Sequence, residues 1–400
     1  MLLSTWFYVA LVALTATPLV VWLALDVLRY RRRRRGQPVL EGWRVILLRG
    51  WALMTALLFG VLTTAVALNR QYQYIPSFAA LAGDVSPDLV TGPGPYNPVN
   101  ARGAADQSPP KDHDGSRGRS RGREFPPPPT HGTVLKVQIG GGLSAIAPRD
   151  AYVYLPPQYF DAAHPDIRFP VLYLLHGSPG IAVDWLRGGK VDVAMDQLLQ
   201  AHAMQPFIVV LPDVNGGYAR DTECQDIPGG PQTQTYLTTD VPKYIDTHYR
   251  TFASRAARVI GGLSSGGYCG LNLSLRHPDV FSGALLHSGF LSPARNRYTG
   301  DLFGRDPMLL LTNSPSYYIP TVAITPPYSV YFDVGRSEKA SLMQSKLGAD
   351  MLKRRGVPVT LRIDENAHHN FDSWHHDLAY SLPWVSAWFD TTHARAQTPA

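Results

Sequence analysis

The sequence predicts an α/β protein with a mostly parallel sheet, preceded by two membrane-spanning helices. Three observations carry this prediction. Short apolar segments of strand length alternate with helical patterns over residues 132–392, and two long uncharged segments lie within residues 1–70. Several of the strand-like segments are followed directly by serine, histidine or carboxylate residues. Alternation of strand and helix is typical of a parallel sheet that helices cover on both faces.

The composition excludes several classes of protein. With 400 residues, 45% hydrophobic and 10% aromatic, the chain has enough apolar area for a core, which excludes a wholly disordered protein. Its two cysteines exclude both a miniprotein held together by disulfides and a structural zinc site with four cysteine ligands.

The positive charge is confined to one short loop. Eight arginines (Arg29, Arg31 to Arg35, Arg44 and Arg49) lie near Asp26 and Glu41, a local balance of +6. The formal net charge of the whole chain is also +6, so the remainder is neutral. We therefore expect no nucleic-acid partner, and the membrane flanks explain the arginine run without a nuclear-localisation signal.

Two uncharged segments predict a membrane anchor within residues 1–70. Residues 5–25 and 51–68 contain 21 and 18 residues, which suffice to cross the apolar core of a bilayer as helices. The arginine-rich loop between them is expected on the cytoplasmic side, so the chain after Asn69 is expected outside the plasma membrane. A cleaved signal peptide is the alternative for the first segment, but no basic region precedes it and no small-residue cleavage site precedes the arginines.

Residues 71–131 are predicted to form a flexible extracytoplasmic linker. From residue 83 onwards this part is rich in glycine, proline and serine, carries six basic and six acidic residues, and includes the tetraproline 126–129. Such a composition buries too little apolar area to offset the entropy of ordering the chain. The catalytic domain is predicted over residues 132–392.

The predicted elements of this domain follow from the apolar patterns. Strands are predicted at residues 134–139, 151–155, 171–175, 207–211, 257–260, 283–287, 329–334 and 357–363. Helices are predicted at residues 191–203, 237–249, 266–276 and 339–355. The first two strands are separated by a glycine-rich turn, which predicts an antiparallel edge hairpin. The pattern leaves the strand order open.

The sequence Gly-Leu-Ser-Ser-Gly at residues 262–266 predicts a nucleophilic serine. A short strand precedes it and a helical pattern follows at once. A tight turn between strand and helix exposes a serine hydroxyl above the sheet, with glycines where side chains would collide. Ser264 is the expected nucleophile, and the backbone N–H of Ser265 is the expected first donor of an oxyanion hole.

A second oxyanion donor is expected in the glycine-rich loop after the strand at residues 171–175. Pro179 has no N–H, so Ser178 is the expected donor, with Gly177 as the alternative. His176 is interpreted as a packing residue beneath this loop.

A serine nucleophile needs a base, and a histidine after the last strand is the expected one. His369 is the preferred candidate and its neighbour His368 the alternative. The pairs at residues 368–369 and 375–376 do not predict a metal site, because adjacent side chains point apart and no second cluster completes a ligand shell.

The acid that orients the base is expected after the preceding strand. Glu338 lies just past the strand at residues 329–334, and Asp333 within that strand is the competing candidate. The chain order of serine, acid and histidine is the order of the α/β-hydrolases. Cys224 and Cys269 are a possible disulfide in an extracytoplasmic domain, and the alternative of two unrelated cysteines stays open.

With these residues identified, the chain resembles the esterase D and enterochelin-esterase-like branch of the α/β-hydrolases, which includes the secreted mycolyltransferases of the antigen 85 type. The resemblance covers roughly residues 133–390. It rests on residues 153–157, 169–177, Trp185, the elbow with Gly267, residues 276–278 and the spacing from His369 to Trp374. It implies an α/β-hydrolase fold and the same triad, Ser264, Glu338 and His369, with the Ser178 and Ser265 N–H groups as the oxyanion hole.

Two departures from the mycolyltransferase pattern concern the acyl acceptor. His176 stands where those proteins have an acidic residue, and the stretch between the strand and the catalytic acid is shorter here. Water and a sugar hydroxyl therefore both remain possible acceptors.

The sequence thus predicts a membrane-anchored extracytoplasmic serine esterase or acyltransferase that needs no cofactor and acts through an acyl-serine intermediate. Its expected substrate is an ester of a lipid or cell-envelope glycolipid. The alternative is a catalytically silent protein that binds cell-wall glycan or a protein partner through a hydrolase fold. Residues 290–320 are either an apolar lid or a loop packed on the sheet, and the oligomeric state is not predicted.

Overall fold

The computed structural model describes residues 4–38, 43–72, 89–90, 129–217, 220–300, 302–303, 306–392 and 394. The chain divides into two compact units, residues 1–85 and residues 86–400. Most of the predicted linker therefore lies outside the described residues.

The first unit contains two long helices, α1 (Thr5–Arg34) and α2 (Trp43–Tyr72). Asp26 near the end of α1 accepts hydrogen bonds from Arg49 near the start of α2, at 2.8 Å, whereas Arg70 near the end of α2 donates to Thr5. These pairs make α1 and α2 an antiparallel hairpin. Midway along it, the hydroxyls of Thr15 and Thr63 lie 3.1 Å apart.

Both helices are long and apolar enough to cross a membrane, and most of their large apolar side chains are exposed. Each helix is longer than its uncharged segment, because arginine is a good helix former, and in α1 the arginines also lie at the C-terminus, where a cation is favourable. Thus α1 continues through the arginine run to Arg34, and α2 begins at Trp43, eight residues before the uncharged segment.

The second unit is built on a mixed sheet of nine strands among the described residues. They are β1 (Leu89–Val90), β2 (Thr133–Ile139), β3 (Arg149–Leu155), β4 (Val171–Leu175), β5 (Ile208–Pro212), β6 (Arg258–Leu263), β7 (Gly283–His287), β8 (Ser329–Gly335) and β9 (Val359–Asp364). Their order across the sheet is β1-β2-β3-β5-β4-β6-β7-β8-β9. The strands from β5 to β9 in this order are mutually parallel.

The amino-terminal edge of the sheet is partly antiparallel. Strands β2 and β3 form the hairpin that the glycine-rich turn predicts, with Thr133 opposite Leu155. Strand β3 continues antiparallel onto β5. The two residues of β1 pair with β2 in parallel, within the part of the chain that the linker composition predicts to lack strands.

Five main helices accompany these strands: α3 (Val191–Gln200), α4 (Val241–His248), α5 (Ser265–Arg276), α6 (Lys339–Arg354) and α7 (Phe371–Thr391). The central strands β4, β5, β6, β7 and β8 are buried along their whole length, whereas β9 is only half-buried. A parallel sheet covered on both faces explains why the central strands are nearly continuous apolar runs.

The parallel strands bring the predicted site residues to one edge. The segments that follow β4, β6, β8 and β9 carry Ser178, Ser264, Glu338 and His369 respectively. The carboxyl ends of parallel strands meet at the same edge, which is where ligands bind in open α/β sheets. The sequence pattern left the strand order open, and the fold now shows that these four segments follow strands whose carboxyl ends lie on the same side of the sheet.

Candidate active site

Ser264 occupies the turn between β6 and α5 in a strained backbone conformation. Its φ is 54° and its ψ is −118°, a region that non-glycine residues rarely adopt. Its N–H donates to the His287 carbonyl at 2.9 Å, and its own carbonyl accepts from the Tyr268 N–H at 3.1 Å. Strain of this kind is kept where the surrounding structure enforces it, and it is concentrated at functional sites.

The glycines around Ser264 let this turn pack directly on the neighbouring strand. A Cβ atom at Gly262 or Gly266 would collide with the carbonyl oxygen of Leu175, the last residue of β4. A Cβ at Gly177 would lie 3.4 Å from the Cβ of Ser264. The loop after β4 therefore lies against the serine turn.

His176 secures the loop from below. Its ring is buried, its Nδ1 donates to the Gly177 carbonyl at 2.8 Å, and its Nε2 accepts from the Val214 N–H at 3.0 Å. This is the packing position that the sequence predicts for His176. Ser178 is the residue of this loop that follows Gly177. The Ser265 N–H is at the first position of α5, where no helical carbonyl can accept it.

His369 contacts Glu338 directly. The Nδ1 atom of His369 lies 2.6 Å from Oε2 of Glu338, so its N–H donates a hydrogen bond to the carboxylate and Nε2 is left as the basic atom. The Glu338 side chain is 6% exposed and that of His369 is 36% exposed. The arrangement holds a carboxylate behind a histidine whose ring reaches solvent.

Three further groups hold this pair in place. The other carboxylate oxygen of Glu338 accepts from the Gly335 N–H at 2.9 Å and from the Ser288 hydroxyl at 2.8 Å. Ser288 in turn accepts from the indole N–H of Trp374, whose ring meets His369 edge to face at 5.0 Å. Burial raises the pKa of Glu338, but the hydrogen bond and charge of His369, together with these donors, lower it overall.

The competing carboxylate, Asp333, belongs to a different cluster. It is fully buried, and both its oxygens accept from Arg362, at 2.9 and 3.1 Å. Arg362 also bonds to Asp377 and Asp364, each at 2.6 Å. Asp333 thus pairs with arginine, not with His369.

His368, the alternative base, bonds to a serine on the surface. The Nδ1 of His368 lies 2.9 Å from the Ser337 hydroxyl, and the His368 side chain is exposed.

Among the described residues, His287, Asp333 and Asp377 offer potential ligand atoms for a metal within 4.8 Å of one another. Because Arg362 bonds to both carboxylates, a cation already occupies their hydrogen-bonding positions.

Cys224 and Cys269 form a disulfide, with a Cα–Cα distance of 5.8 Å. The bond ties the segment after β5 to α5, one turn past Ser264.

Residues 290–320 contain two short helices, Pro307–Thr312 and Pro315–Tyr318. They border an open cavity of about 470 Å³, lined by Ser292, Pro293, Arg295, Leu310, Leu311, Ser314, Ser316 and Tyr317.

Sequence reasoning missed Ser288, which bonds to Glu338, and Arg362, which binds Asp333 in the separate cluster. Ser288 follows β7 directly, so the rule that located the other candidates after strands also pointed to it. Arg362 gave no comparable signal, because an arginine near the end of an edge strand is ordinarily a solvated residue.

Comparison with known proteins places the chain in a family. Residues 146–391 match the esterase family model described as "Putative esterase". The chain is 28% identical over 268 residues to a protein of Corynebacterium glutamicum, covering 64% of this chain and 62% of that protein. It is 27% identical over 247 residues to an endo-1,4-beta-xylanase/feruloyl esterase of Xylanibacter ruminicola, covering 61% of this chain and 30% of that one. The matched parts therefore span less than two thirds of these relatives.

Solved structures confirm the α/β-hydrolase fold. A ferulic acid esterase matches with a TM-score of 0.55 and 24% identity, over 65% of this chain and 99% of its own. An S-formylglutathione hydrolase from Agrobacterium tumefaciens matches with a TM-score of 0.55 and 18% identity, over 65% and 97% of the two chains. The family model matches residues 146–391, which is more than half of the chain and includes all the candidate residues. The chain therefore belongs to this esterase family.

Proposed function

We propose that the protein is a membrane-anchored serine esterase or acyltransferase that forms an acyl intermediate on Ser264. The observation that carries the proposal is the 2.6 Å contact between His369 and Glu338, at the strand edge where Ser264 is held in a strained turn. Membership of the esterase family supports the same reaction class.

The proposed reaction begins with proton transfer from the Ser264 hydroxyl to Nε2 of His369, while the serine oxygen attacks the ester carbonyl. The Ser178 and Ser265 N–H groups stabilise the negative charge on the carbonyl oxygen. The alcohol leaves with the proton from His369, which gives the acyl-serine. Glu338 keeps His369 in the tautomer with Nδ1–H and stabilises the imidazolium that forms.

The second half of the reaction uses the same groups. His369 takes a proton from water or from an acceptor hydroxyl, whose oxygen then attacks the acyl-serine. Collapse of this second intermediate returns the proton to Ser264 and releases an acid or a new ester. Water and a sugar hydroxyl give the same first half, so hydrolysis and transfer are two outcomes of one intermediate.

Lipid or glycolipid esters are the proposed substrate class. The two long helices of the first unit have exposed apolar faces, which supports anchoring, and the arginines between the two apolar spans favour a cytoplasmic loop and an external esterase domain. The open cavity beside residues 290–320 presents Leu310, Leu311 and Tyr317, which suits an apolar group of such a substrate.

A fluorophosphonate probe on the full chain in detergent tests the proposal. The wild type is expected to be labelled, and Ser264→Ala is expected to lose all labelling, because only an activated serine reacts. Ser254→Ala, an exposed serine before the opposite end of β6, is the matched control and should label like the wild type.

Absence of labelling in a folded wild type would contradict the proposal. It would then favour the alternative of a silent hydrolase-fold protein that binds glycan or a protein partner. Labelling that persists in Ser264→Ala would assign the activated serine to another position.

A further inference from the structure

A short polar segment after β5 is buried, although the proposed reaction does not use it. The segment is Asp221–Thr222–Glu223–Cys224–Gln225, here called the acidic segment, and each of its five residues is at most 4% exposed. Two carboxyl groups in such a place need a physical reason, because burying charge is costly unless it is paired.

The acidic segment is fixed on one side to the helix that follows Ser264. Cys224 forms the disulfide with Cys269 of α5, and the side-chain N–H of Gln225 donates to the Tyr268 hydroxyl at 3.0 Å. This side of the segment is therefore held covalently.

On its other side the acidic segment holds residues 290–300, here called the cap arm. The Ala294 N–H donates to Oε1 of Glu223 at 2.8 Å, and the Asp221 N–H donates to the Tyr298 carbonyl at 3.0 Å. The cap arm also supplies Ser292, Pro293 and Arg295 to the wall of the open cavity. These two hydrogen bonds connect the wall of the cavity to the nucleophile helix.

Glu223 has an unfavourable backbone conformation and an unsatisfied side-chain oxygen. Its φ is 46° and that of Cys224 is 55°, so two consecutive non-glycine residues adopt the left-handed conformation. Among the described residues, Oε2 of Glu223 is buried without a hydrogen-bond partner. Strain and an unsatisfied buried oxygen are both costly, and they persist only where the surrounding structure enforces them.

The groups that face Glu223 disfavour its charged form. Asp221 approaches it from the same segment and Tyr268 from α5, while the cap arm offers the Ala294 N–H. Burial raises the pKa of Asp221, and the Ser178 hydroxyl and the charge of His176, both in the loop after β4, offset this only in part. Burial and then the charge of Asp221 raise the pKa of Glu223 well above its ordinary value, and the Ala294 N–H offsets this only in part.

We propose that Glu223, as a neutral carboxylic acid, is a positioning residue that holds the cap arm against the nucleophile helix, and that loss of its proton to solvent at alkaline pH releases the arm. The ionised group would place a second negative charge beside Asp221 in dry surroundings. Because the disulfide fixes the segment to α5, water reaches the ionised carboxyl group when the cap arm moves away, and this hydration stabilises the charge. Release of the arm should also weaken the binding of bulky esters, and this consequence rests on the proposed function.

Trypsin provides a readout of the arm that does not depend on activity. Arg295 and Arg297 are exposed within the cap arm. Using the full chain in detergent between pH 7 and 9.5, with rates normalised to a peptide substrate of trypsin, we expect cleavage at these arginines to rise by up to about tenfold per pH unit, because cleavage follows the open population. In Glu223→Gln the amide oxygen still accepts from Ala294 and no charge forms, so cleavage should stay low throughout.

Asp221→Asn is the second variant, and it keeps the measurement decisive if Glu223→Gln does not fold. Removing the neighbouring charge lowers the pKa of Glu223 and removes the repulsion, so the rise in cleavage should be smaller and should level off at a lower pH than in the wild type. A wild-type profile that does not depend on pH, or a rise that is unchanged in both variants, would overturn the proposal.

Activity then separates this proposal from the proposed function. The KM for a long-chain ester should rise at alkaline pH in the wild type and stay flat in Glu223→Gln, with a smaller change for a short-chain ester. Loss of all fluorophosphonate labelling would refute the serine esterase while leaving the trypsin result to decide the role of Glu223. An equal change in KM for both esters and both proteins would show that Glu223 has only a structural role.

Discussion

Two carboxyl groups near the carboxyl end of β8 lie five residues apart and have opposite surroundings. Glu338 follows the strand and contacts a half-exposed histidine, with an N–H and a hydroxyl on its second oxygen. Asp333 lies within the strand, fully buried, and shares Arg362 with Asp377.

The difference is reflected in the pKa values. The donors around Glu338 outweigh its burial and lower its pKa, which keeps it ionised behind His369. Around Asp333, burial and the charge of Asp377 outweigh the single shared guanidinium and raise its pKa. A carboxylate that stabilises an imidazolium must be ionised at neutral pH, so the surroundings of Glu338 suit that role and those of Asp333 suit a structural one.

The largest expected effect separates the two carboxyl groups by activity. Glu338→Gln should lower kcat by about 10³- to 10⁴-fold, because the amide no longer holds His369 in the required tautomer. Asp333→Asn should retain most of the activity. Steady-state kinetics on a soluble ester, with thermal unfolding to confirm folding, measures both. The reverse ranking would make Asp333 the acid.

The next effect separates them by stability. Arg362→Met leaves Asp333 and Asp377 buried without their cation, and should lower the free energy of unfolding of the esterase unit by about 3–5 kcal/mol. The control is Arg336→Met, which breaks an exposed pair with Glu365 and should leave stability nearly unchanged. Denaturant unfolding measures the two variants, and equal losses would show that burial of the Arg362 cluster contributes nothing.

The smallest effect is a pH dependence of opposite sign at the two sites. The raised pKa of Asp333 means that its contribution to stability is present below the ordinary value near 3.8 and is lost as pH rises through the raised value. The lowered pKa of Glu338 means that its contribution is present above 4.5 and is lost as pH falls through the lowered value. Unfolding free energies measured from pH 4 to 9 should therefore decline less steeply on the alkaline side in Asp333→Asn than in the wild type. Parallel curves would contradict the assignment.

The sequence predicted much of the fold because its signals are local. The apolar runs of β4 and β7 match their predicted bounds, and the helical pattern before Arg276 matches α5 to within one residue. The turn at Ser264 could also be predicted, because a strand, two glycines and a helix within a few positions require a tight turn. The two apolar helices of the first unit were equally clear, since length and lack of charge suffice to identify them.

The choice between neighbouring candidates depended on contacts between distant parts of the chain. Chain order placed both Asp333 and Glu338 before the histidines, and the position just past the strand favoured Glu338. The pairing of β8 with β9 places Arg362 opposite Asp333, which explains why Asp333 pairs with arginine. The disulfide needed the same information, because Cys224 and Cys269 are 45 residues apart.

The sequence by itself thus determined the class of the fold, the two long apolar helices and the tight turn at Ser264, since each depends on the conformational preferences of adjacent residues. Only the tertiary structure decided that Asp333 meets Arg362, that Cys224 and Cys269 are bonded, and how the acidic segment joins the cap arm to α5. Those outcomes depend on burial and on partners that the sheet brings together from opposite ends of the domain, and no local pattern encodes them.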